Sequence, residues 1–320
     1  MTTNAPVIGI DLGGTNLRVG AVQGGAVVGT LRAEIGAARA PEQVVDAMMT
    51  LIEQARGLWG APSAIGVGAP GLVNAETGVI VRSPHFPLWH NVALAHLLQT
   101  RVGAPVQLDN DANVIAQGEM LYGAARALTN FVMLTFGTGI GGGIVLNRAV
   151  QHGDRGFAGE VGHLVIQFGG PMCPCGGRGC WELYASASGI HRLIDESNDP
   201  ARDYFLKHFG GVAARVTPAD LDRLARDGDI FASTLWKKFG AYVGAGIASL
   251  TNILGVDHFV LGGGVSAAWE LFINEARRSL AKYTYAETAQ GVQLHRAQLG
   301  DAAGILGAAS LATSAGSPSS

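Results

Sequence analysis

The chain has 320 residues, of which 48% are hydrophobic and only 15% are charged, and its formal net charge is −3. A composition this rich in core residues excludes a mostly disordered chain. The small net negative charge and the absence of runs of like charge do not indicate nucleic-acid binding. No apolar run of about 18 residues predicts a membrane span, and residues 1–6 lack the features of a signal peptide. We therefore expect a cytoplasmic protein without a nucleic-acid or membrane partner.

Short apolar runs alternate with glycine turns in the first third of the chain, which predicts strands joined by tight turns. The predicted strands are 7–10, 17–22, 26–35, 64–68 and 106–108. Pro41 opens a segment with apolar residues at helical spacing, and a second helical pattern follows Asp109 and continues through Leu121.

A second strand–turn–strand unit, 133–146, resembles 8–21, and this weak internal repeat suggests two related lobes. Its strands are predicted over 131–136 and 140–146. The remaining predictions are helices within 190–250, a strand over 258–261 and a disordered end rich in Ser, Gly and Pro over 313–320.

The first candidate site is the turn at 11–16, where a strand ends in Asp11 and two glycines follow. Glycines let backbone N–H groups approach a phosphate, and Thr15 adds a hydroxyl. Asp11 is placed to hold Mg²⁺, directly or through water. An ordinary hairpin turn with an Asx cap fits the same residues, so the turn alone leaves both interpretations open.

A second glycine-rich stretch, 137–143, formally matches the G-x-G-x-x-G pattern. A dinucleotide fingerprint requires a following helix and an acidic residue about 20 positions on. Here the β-like run 144–146 follows, so we reject that interpretation. A Walker P-loop motif is also absent from the sequence. A phosphate-binding loop between two strands fits better.

Three polar residues, Asp109, Asn110 and Asp111, lie where a predicted strand passes into a helix. One of them is expected to cap the helix, but three exceed what a cap requires. A carboxylate at this junction is well placed to act as a general base, and we expect the helix N-terminus to keep it ionised.

The three cysteines, Cys173, Cys175 and Cys180, lie within eight residues and follow His163. An odd, tightly clustered set is not a disulfide framework, whereas three thiolates and one imidazole complete a closed, structural zinc site. Free thiols beside an unrelated histidine are the alternative. Glu160 and Glu182 bracket the cluster, either as partners for sugar hydroxyls or as ordinary surface carboxylates.

Seven strings together resemble the ROK family, which contains repressors, open reading frames and sugar kinases, over nearly the whole chain. They are 11–16 (DLGGTN), 68–71 (GAPG), 110–113 (NDAN), 137–143 (GTGIGGG), 158–163 (AGEVGH), 173–182 (CPCGGRGCWE) and 261–266 (LGGGVS). The resemblance implies an α/β, two-lobed actin/hexokinase-like (ribonuclease H-like) fold with a zinc knot. It implies a small lobe over 1–110, a large lobe over 111–300, and a C-terminal helix within 301–320 that returns to the small lobe before a disordered tail. It also implies a homodimer or homotetramer.

The resemblance implies ATP-dependent phosphorylation of glucose at the 6-hydroxyl, with Mg²⁺ and a structural Zn²⁺. Asp111 would be the general base that takes the hydroxyl proton before the oxygen attacks the γ-phosphate. The residues implied for sugar binding are Gly68, Gly71, Asn110, Asp111, Glu160, His163 and Glu182. Those implied for ATP are Gly9, Asp11, Gly13, Gly14, Thr15, Asn16, Gly137, Thr138, Gly139, Gly141 and Gly142, with Gly262, Gly263 and Gly264 near the adenosine. The implied zinc ligands are His163, Cys173, Cys175 and Cys180, with the second ring nitrogen of His163 free to face a sugar hydroxyl.

One departure and several alternatives remain. Related glucokinases often have Ser-Pro-Asn where this chain has Ser83-Pro84-His85, which leaves the hexose open. Kinases for N-acetylglucosamine, N-acetylmannosamine, fructose or mannose are the nearest rivals. Polyphosphate-using members of the family tend to lack the cysteine motif. A sugar-responsive repressor would need a helix-turn-helix before the strand at Val7, and a non-catalytic sugar-binding protein would not need Asp111.

Overall fold

A computed structural model describes residues 5–36 and 39–314. In chain order the strands are β1 (Val7–Leu12), β2 (Asn16–Gln23), β3 (Ala26–Glu34), β4 (Ala64–Ala69), β5 (Leu72–Asn74), β6 (Val79–Arg82), β7 (His90–Val92), β8 (Val106–Asn110), β9 (Phe131–Phe136), β10 (Ile140–Leu146), β11 (Ala149–Val150), β12 (His258–Gly262) and β13 (Gln293–Arg296). The helices are α1 (Pro41–Trp59), α2 (Leu94–Val102), α3 (Asp111–Tyr122), α4 (Ala187–Asp195), α5 (Ala201–Lys207), α6 (Pro218–Arg226), α7 (Ile230–Leu254), α8 (Trp269–Tyr283), α9 (Ala286–Gly291) and α10 (Ala302–Ser314).

The chain divides into two units. The first contains the chain up to Thr129, Gly143–Gly159 and the chain from Ala297, and the second contains Asn130–Gly142 and Glu160–Arg296. These bounds differ from the predicted division between residues 110 and 111, because α3 packs against α10 and both belong with the N-terminal sheet.

The sheet of the first unit has the strand order β3-β2-β1-β4-β8, with β1, β4 and β8 parallel and β2 and β3 antiparallel. Ile8, Ile10 and Leu12 alternate along β1 and belong to the same buried core as residues of α1 and α2. The other face of β1 lies against α10, where a Cβ on Gly9 would lie 2.0 Å from the carbonyl oxygen of Ile305. This close packing explains why residue 9 is a glycine, and contact with a nucleotide is not needed to explain it.

Helix α10 forms the end of the described chain. Thr313 and Ser314, which the sequence assigned to a disordered tail, are its last residues, and the rest of that predicted tail, 315–320, lies outside the described residues. Helix α10 packs along β1 and β4 and so belongs to the first unit. Within the described residues, no helix is long and apolar enough to cross a membrane.

The second sheet has the order β11-β10-β9-β12-β13, and β12 is parallel to both β9 and β13. In the second unit an aromatic core surrounds the buried Trp181, whose ring meets Phe136 edge-on with centroids 6.2 Å apart. The indole N–H of Trp181 also donates to the carbonyl of Tyr242 in α7 at 2.8 Å. These contacts fix the backbone immediately before Glu182.

Candidate functional site

The predicted site residues fall into two groups, one in each unit. The first unit contains Gly9, Asp11, Gly13, Gly14, Thr15, Asn16, Gly68, Gly71, Asn110 and Asp111. The second contains Gly137, Thr138, Gly139, Gly141, Gly142, Glu160, His163, Cys173, Cys175, Cys180, Glu182, Gly262, Gly263 and Gly264. Gly141 and Gly142 lie within β10.

In the first unit, the carboxyl ends of the three parallel strands bring polar residues side by side. Asp11 of β1 pairs in register with Gly68 of β4, and Gly68 pairs with Asp109 of β8. Asp111 follows β8 directly at the first position of α3. Ligands of open α/β sheets bind beyond the carboxyl ends of the strands, so this edge is the expected location of a site.

The turn after β1 exposes its backbone. Gly13 donates its N–H to the carbonyl of Asn16 at 2.8 Å, and Thr15 and Asn16 are exposed. Asp11 is only partly exposed, and its Oδ2 accepts a hydrogen bond from Arg18 at 2.9 Å. Burial raises the pKa of Asp11, and the Arg18 guanidinium opposes that shift. One oxygen of Asp11 is therefore engaged by Arg18.

The ring of His85 lies against this same turn. A Cβ on Gly14 would lie 2.8 Å from Nδ1 of His85, so Gly14 leaves the space that the imidazole occupies. The position at which the chain departs from the Ser-Pro-Asn pattern is therefore next to the predicted phosphate-binding turn.

Asn110 is the residue that caps α3. Its Oδ1 accepts hydrogen bonds from the N–H groups of Ala112 at 2.8 Å and Asn113 at 3.3 Å, and its amide donates to the carbonyl of Gly71 at 3.1 Å. Two predicted sugar-binding residues, Asn110 and Gly71, are thus held together. Because Asn110 caps the helix, the Asp111 carboxylate is not needed as the cap.

The environment of Asp111 raises its proton affinity. Burial, followed by the negative charge of Asp11, raises the pKa of Asp111 from 3.8 to about 6. The backbone N–H of Ala112, which lies 2.8 Å from Oδ1, favours the ionised form as expected at a helix N-terminus, but burial and the charge of Asp11 outweigh it. A base with a pKa close to neutrality is ionised at pH 7 yet holds a proton well.

A hydrogen-bonded pair of Asp109 and His152, which sequence reasoning missed, lies at this helix start. Asp109 is 2% exposed; its Oδ1 accepts from the Asn110 N–H at 2.7 Å and from Asn113 Nδ2 at 3.0 Å, and its Oδ2 lies 2.8 Å from Nε2 of His152. The hydrogen bond to Asp109 raises the pKa of His152. The pair fixes the first turn of α3, and no local motif signals it because the two residues are far apart in sequence.

In the second unit, the predicted zinc ligands come together. The ligand atoms of His163, Cys173, Cys175 and Cys180 all lie within 4.8 Å of one another. The Sγ atoms of Cys175 and Cys180 are 3.7 Å apart, and so are Sγ of Cys173 and Nδ1 of His163. Zinc–sulfur bonds of about 2.3 Å in tetrahedral geometry separate two sulfurs by about 3.8 Å. The four residues therefore fit a structural zinc ion.

Both predicted sugar-binding carboxylates adjoin this cluster. Oε1 of Glu182 lies 3.1 Å from Sγ of Cys173 and 3.5 Å from Nδ1 of His163. Oε2 of Glu160 lies 3.7 Å from Nε2 of His163. The two nitrogens of the imidazole therefore face different partners, Nδ1 towards the thiols and Nε2 towards Glu160.

Two glycine segments follow neighbouring parallel strands of this unit. Gly262 at the end of β12 pairs in register with Thr135 near the end of β9, so the loop after each strand begins beside the other. Gly139, in the loop after β9, packs on the carboxylate of Glu182: a Cβ there would lie 2.4 Å from its Oε2. Apart from its two chain neighbours, no described residue has a heavy atom within 4 Å of where a Cβ on Gly137 would be. Gly137 thus has the open space that a phosphate-binding loop needs.

The chain belongs to the ROK family, whose model matches residues 7–315. It is 34% identical over 306 residues to a glucokinase of Thermotoga maritima, covering 95% of this chain and 96% of that protein. The crystal structure of a ROK family glucokinase from Streptomyces griseus in complex with glucose and AMPPNP matches with a TM-score of 0.85 and 32% identity, over 97% of this chain and 100% of that one. A ROK hexokinase from Thermus thermophilus matches with a TM-score of 0.77 and 34% identity, over 97% of this chain and 98% of that one. The predicted family and its α/β sugar-kinase fold are confirmed.

Proposed function

We propose that this protein is an ATP-dependent hexokinase that phosphorylates glucose at the 6-hydroxyl, giving glucose 6-phosphate and ADP. The observation that carries the proposal is the carboxylate of Asp111 at the end of β8, with a pKa raised to about 6. The glucokinases and the hexokinase to which the chain is similar support the same reaction.

In this reaction Asp111 accepts the proton of the 6-hydroxyl. The hydroxyl oxygen forms a bond to the γ-phosphorus, the bond from that phosphorus to the β,γ-bridging oxygen breaks, and ADP leaves with the bond's electron pair. We assign Gly68, Gly71 and Asn110 to the binding of the sugar, and Glu160, His163 and Glu182 to its other hydroxyls.

The two glycine-rich loops, 11–16 and 137–142, are proposed to bind the phosphates of ATP through backbone N–H groups, with Gly262–Gly264 near the adenosine. Mg²⁺ would neutralise phosphate charge when bound. A carboxylate is the hard oxygen ligand that Mg²⁺ prefers, and Asp11 would hold it, directly or through water, with the oxygen that Arg18 does not engage. The Cys₃His cluster would hold Zn²⁺ with four protein ligands and no open position, so the metal maintains structure.

We further propose that the protein is cytoplasmic and forms a homodimer or homotetramer. Light scattering on the purified protein would measure its oligomeric state. A coupled ADP-release assay with ATP and Mg²⁺ over a panel of hexoses and N-acetylhexosamines tests the function. Glucose should give the highest kcat/KM, and Asp111→Asn should lose about 10²–10⁴-fold in kcat while glucose still binds. Faster turnover of another sugar would reassign the substrate, and no turnover of any sugar would overturn the proposal.

A further inference from the structure

A buried carboxylate that the proposed reaction does not use lies directly before Asn110 and Asp111. Asp109 is 2% exposed, and its Oδ1 accepts hydrogen bonds from the N–H of Asn110 at 2.7 Å and from Nδ2 of Asn113 at 3.0 Å. Its other oxygen, Oδ2, lies 2.8 Å from Nε2 of His152. Asn110 is the cap of α3, so Asp109 is not needed for that purpose. A carboxylate this deeply buried is costly unless it is paired and hydrogen-bonded.

His152 approaches this carboxylate from the solvent side. Its side chain is 36% exposed, whereas that of Asp109 is 3% exposed. The hydrogen bond to Asp109 raises the pKa of His152, so the pair favours the charged form of the ring. The backbone around His152 is held as well. The N–H of Gln151 donates to the carbonyl of Ile144 at 2.8 Å, and the carbonyl of His152 accepts from the N–H of Ala158 at 2.9 Å. The imidazole is therefore presented by a hydrogen-bonded loop.

Asp109 connects this imidazole to the residues assigned to the sugar. The carboxylate holds the main-chain N–H of Asn110, and the side-chain amide of Asn110 donates to the carbonyl of Gly71 at 3.1 Å. Asp111 is the next residue in the chain and the first of α3. Asn113 is 1% exposed and ties the same turn of the helix to the carboxylate. The position of this turn thus depends on where the carboxylate of Asp109 is held.

We propose that His152 is a positioning residue for phosphorylation of the sugar: through its hydrogen bond to Asp109 it fixes the turn that carries the general base Asp111. The same turn carries Asn110, so His152 also affects how tightly the sugar is bound. His152 acts through Asp109 and is not itself assigned to a substrate. This inference rests on the proposed function, which gives Asn110 and Asp111 their roles.

Loss of this hydrogen bond should change the reaction in two ways. Displacement of a reacting group by about 1 Å can cost about 10²-fold in rate, so kcat should fall and the KM for glucose should rise. A looser turn should also expose Asp111, whose pKa is raised first by burial and then by the charge of Asp11. Since Asp11 stays in place on β1, the lost burial should lower the pKa of Asp111 towards its ordinary value.

Two substitutions separate the hydrogen bond from the bulk of the ring. His152→Phe keeps a ring and loses the donor, whereas His152→Gln loses the ring and keeps a side-chain N–H donor. We expect His152→Phe to lower kcat by about 10- to 100-fold, to raise the KM for glucose and to change the KM for ATP much less. His152→Gln should retain most of the wild-type kcat. The exposed His96 in α2 provides the control, and His96→Phe should match the wild type.

The pH–rate profile distinguishes positioning from a merely structural role. The acid limb of kcat/KM for glucose should have its midpoint at about pH 6 in the wild type, at a lower pH in His152→Phe, and at the wild-type value in His152→Gln. A merely structural histidine would lower the Tm in both variants without moving the midpoint. Wild-type kinetics in His152→Phe, an unmoved midpoint in that variant, or equal losses of kcat in the two variants would overturn the proposal.

A measurement on the wild type keeps the test valid if a variant does not fold. Saturating glucose should shift the imidazole ¹⁵N signals of His152 in NMR spectra, because the sugar binds the turn that Asp109 connects to the ring, and an unchanged signal would contradict the inference. Calorimetry with glucose alone separates the two proposals. If glucose binds but is not phosphorylated, the proposed function fails, and weaker binding by His152→Phe still supports the inference. If glucose is phosphorylated equally well by His152→Phe, the inference fails and the function stands.

Discussion

The acid limb of the pH–rate profile tests the assignment of Asp111 as general base. With a pKa of about 6, the carboxylate is about 90% ionised at pH 7 and about 10% ionised at pH 5. The protonated form cannot accept the hydroxyl proton, so kcat/KM for glucose should fall about tenfold between these pH values. An aspartate at its ordinary pKa of 3.8 would lose less than about 10% over the same range.

The cause of the shift is tested by removing the charge that contributes to it. Asp11 raises the pKa of Asp111 and is itself faced by Arg18, with Asp301 behind the arginine at 3.4 Å. Asp11→Asn should therefore move the midpoint of the acid limb to lower pH, whatever it does to the maximal rate. Asp46→Asn removes the same charge from an exposed ion pair between α1 and Arg101 of α2, and its midpoint should match that of the wild type.

The assay is kcat/KM for glucose at saturating ATP and Mg²⁺, measured by coupled ADP release across the acid range. A midpoint near pH 4 in the wild type would refute the role of burial and of Asp11. Burial disfavours the ionised form of Asp111, so this residue opposes folding at pH 7; the opposition decreases as the pH falls below about 6 and is gone below the ordinary pKa of 3.8. Asp111→Asn should accordingly have a Tm no lower than that of the wild type.

Two other features allow equally direct tests. Gly137→Val adds a side chain in open space, so it should raise the KM for ATP and leave the KM for glucose unchanged. In Gly139→Val the new side chain meets Oε2 of Glu182, so this variant should raise both KM values. Steady-state kinetics on folded protein distinguishes the two variants, and equal increases in the KM for ATP with no change in the KM for glucose would contradict the geometry. Glu119 is fully buried and accepts three backbone N–H groups at 2.7–2.9 Å, so Glu119→Gln should lower the unfolding free energy by about 2–4 kcal/mol. Urea unfolding measures the loss, and the exposed Glu53→Gln should show almost none.

Sequence reasoning succeeded where the determinants are local. The predicted bounds of β9 and β10 match the structure, because apolar runs and a glycine turn define both strands. The grouping of His163 with the three cysteines could be predicted because the cysteines are close together and His163 precedes them within a short segment. The N-cap prediction at 109–111 was also correct, and the structure identifies the cap as Asn110.

The sequence was uninformative where distant segments meet. The pairing of Asp109 with His152 depends on how the loop after β11 lies against β8. The short strands β5–β7 contain only three or four residues each, too few for a strand pattern to be recognised. The pKa of Asp111 depends on the depth of its burial and on Asp11, which is on another strand. The glycine at position 9 is explained by α10, from the opposite end of the chain.

The zinc cluster should control the affinity for glucose through Glu182. Sγ of Cys173 lies 3.1 Å from Oε1 of Glu182, so a metal ion bound to this thiol would also limit where the carboxylate can move. Cys175 is the exposed ligand, and Cys175→Ser therefore removes a ligand with little damage to the core. We expect this variant to lose zinc and to have a higher KM for glucose, with the KM for ATP changed much less. Displacement of a substrate-positioning group by about 1 Å can cost about 10²-fold in rate, so kcat should fall as well.

The control is Pro174→Ala, which changes the neighbouring exposed residue and keeps all four ligands. Its zinc content, measured by atomic emission, and its KM for glucose should match those of the wild type. If metal binding is coupled to sugar binding, the zinc content and the KM for glucose must change together. Wild-type protein that is fully active with less than about a tenth of an equivalent of zinc would show that the closed four-ligand site is dispensable. A metal-free Cys175→Ser protein with a normal KM for glucose would show that the loop holds Glu182 in place without the metal.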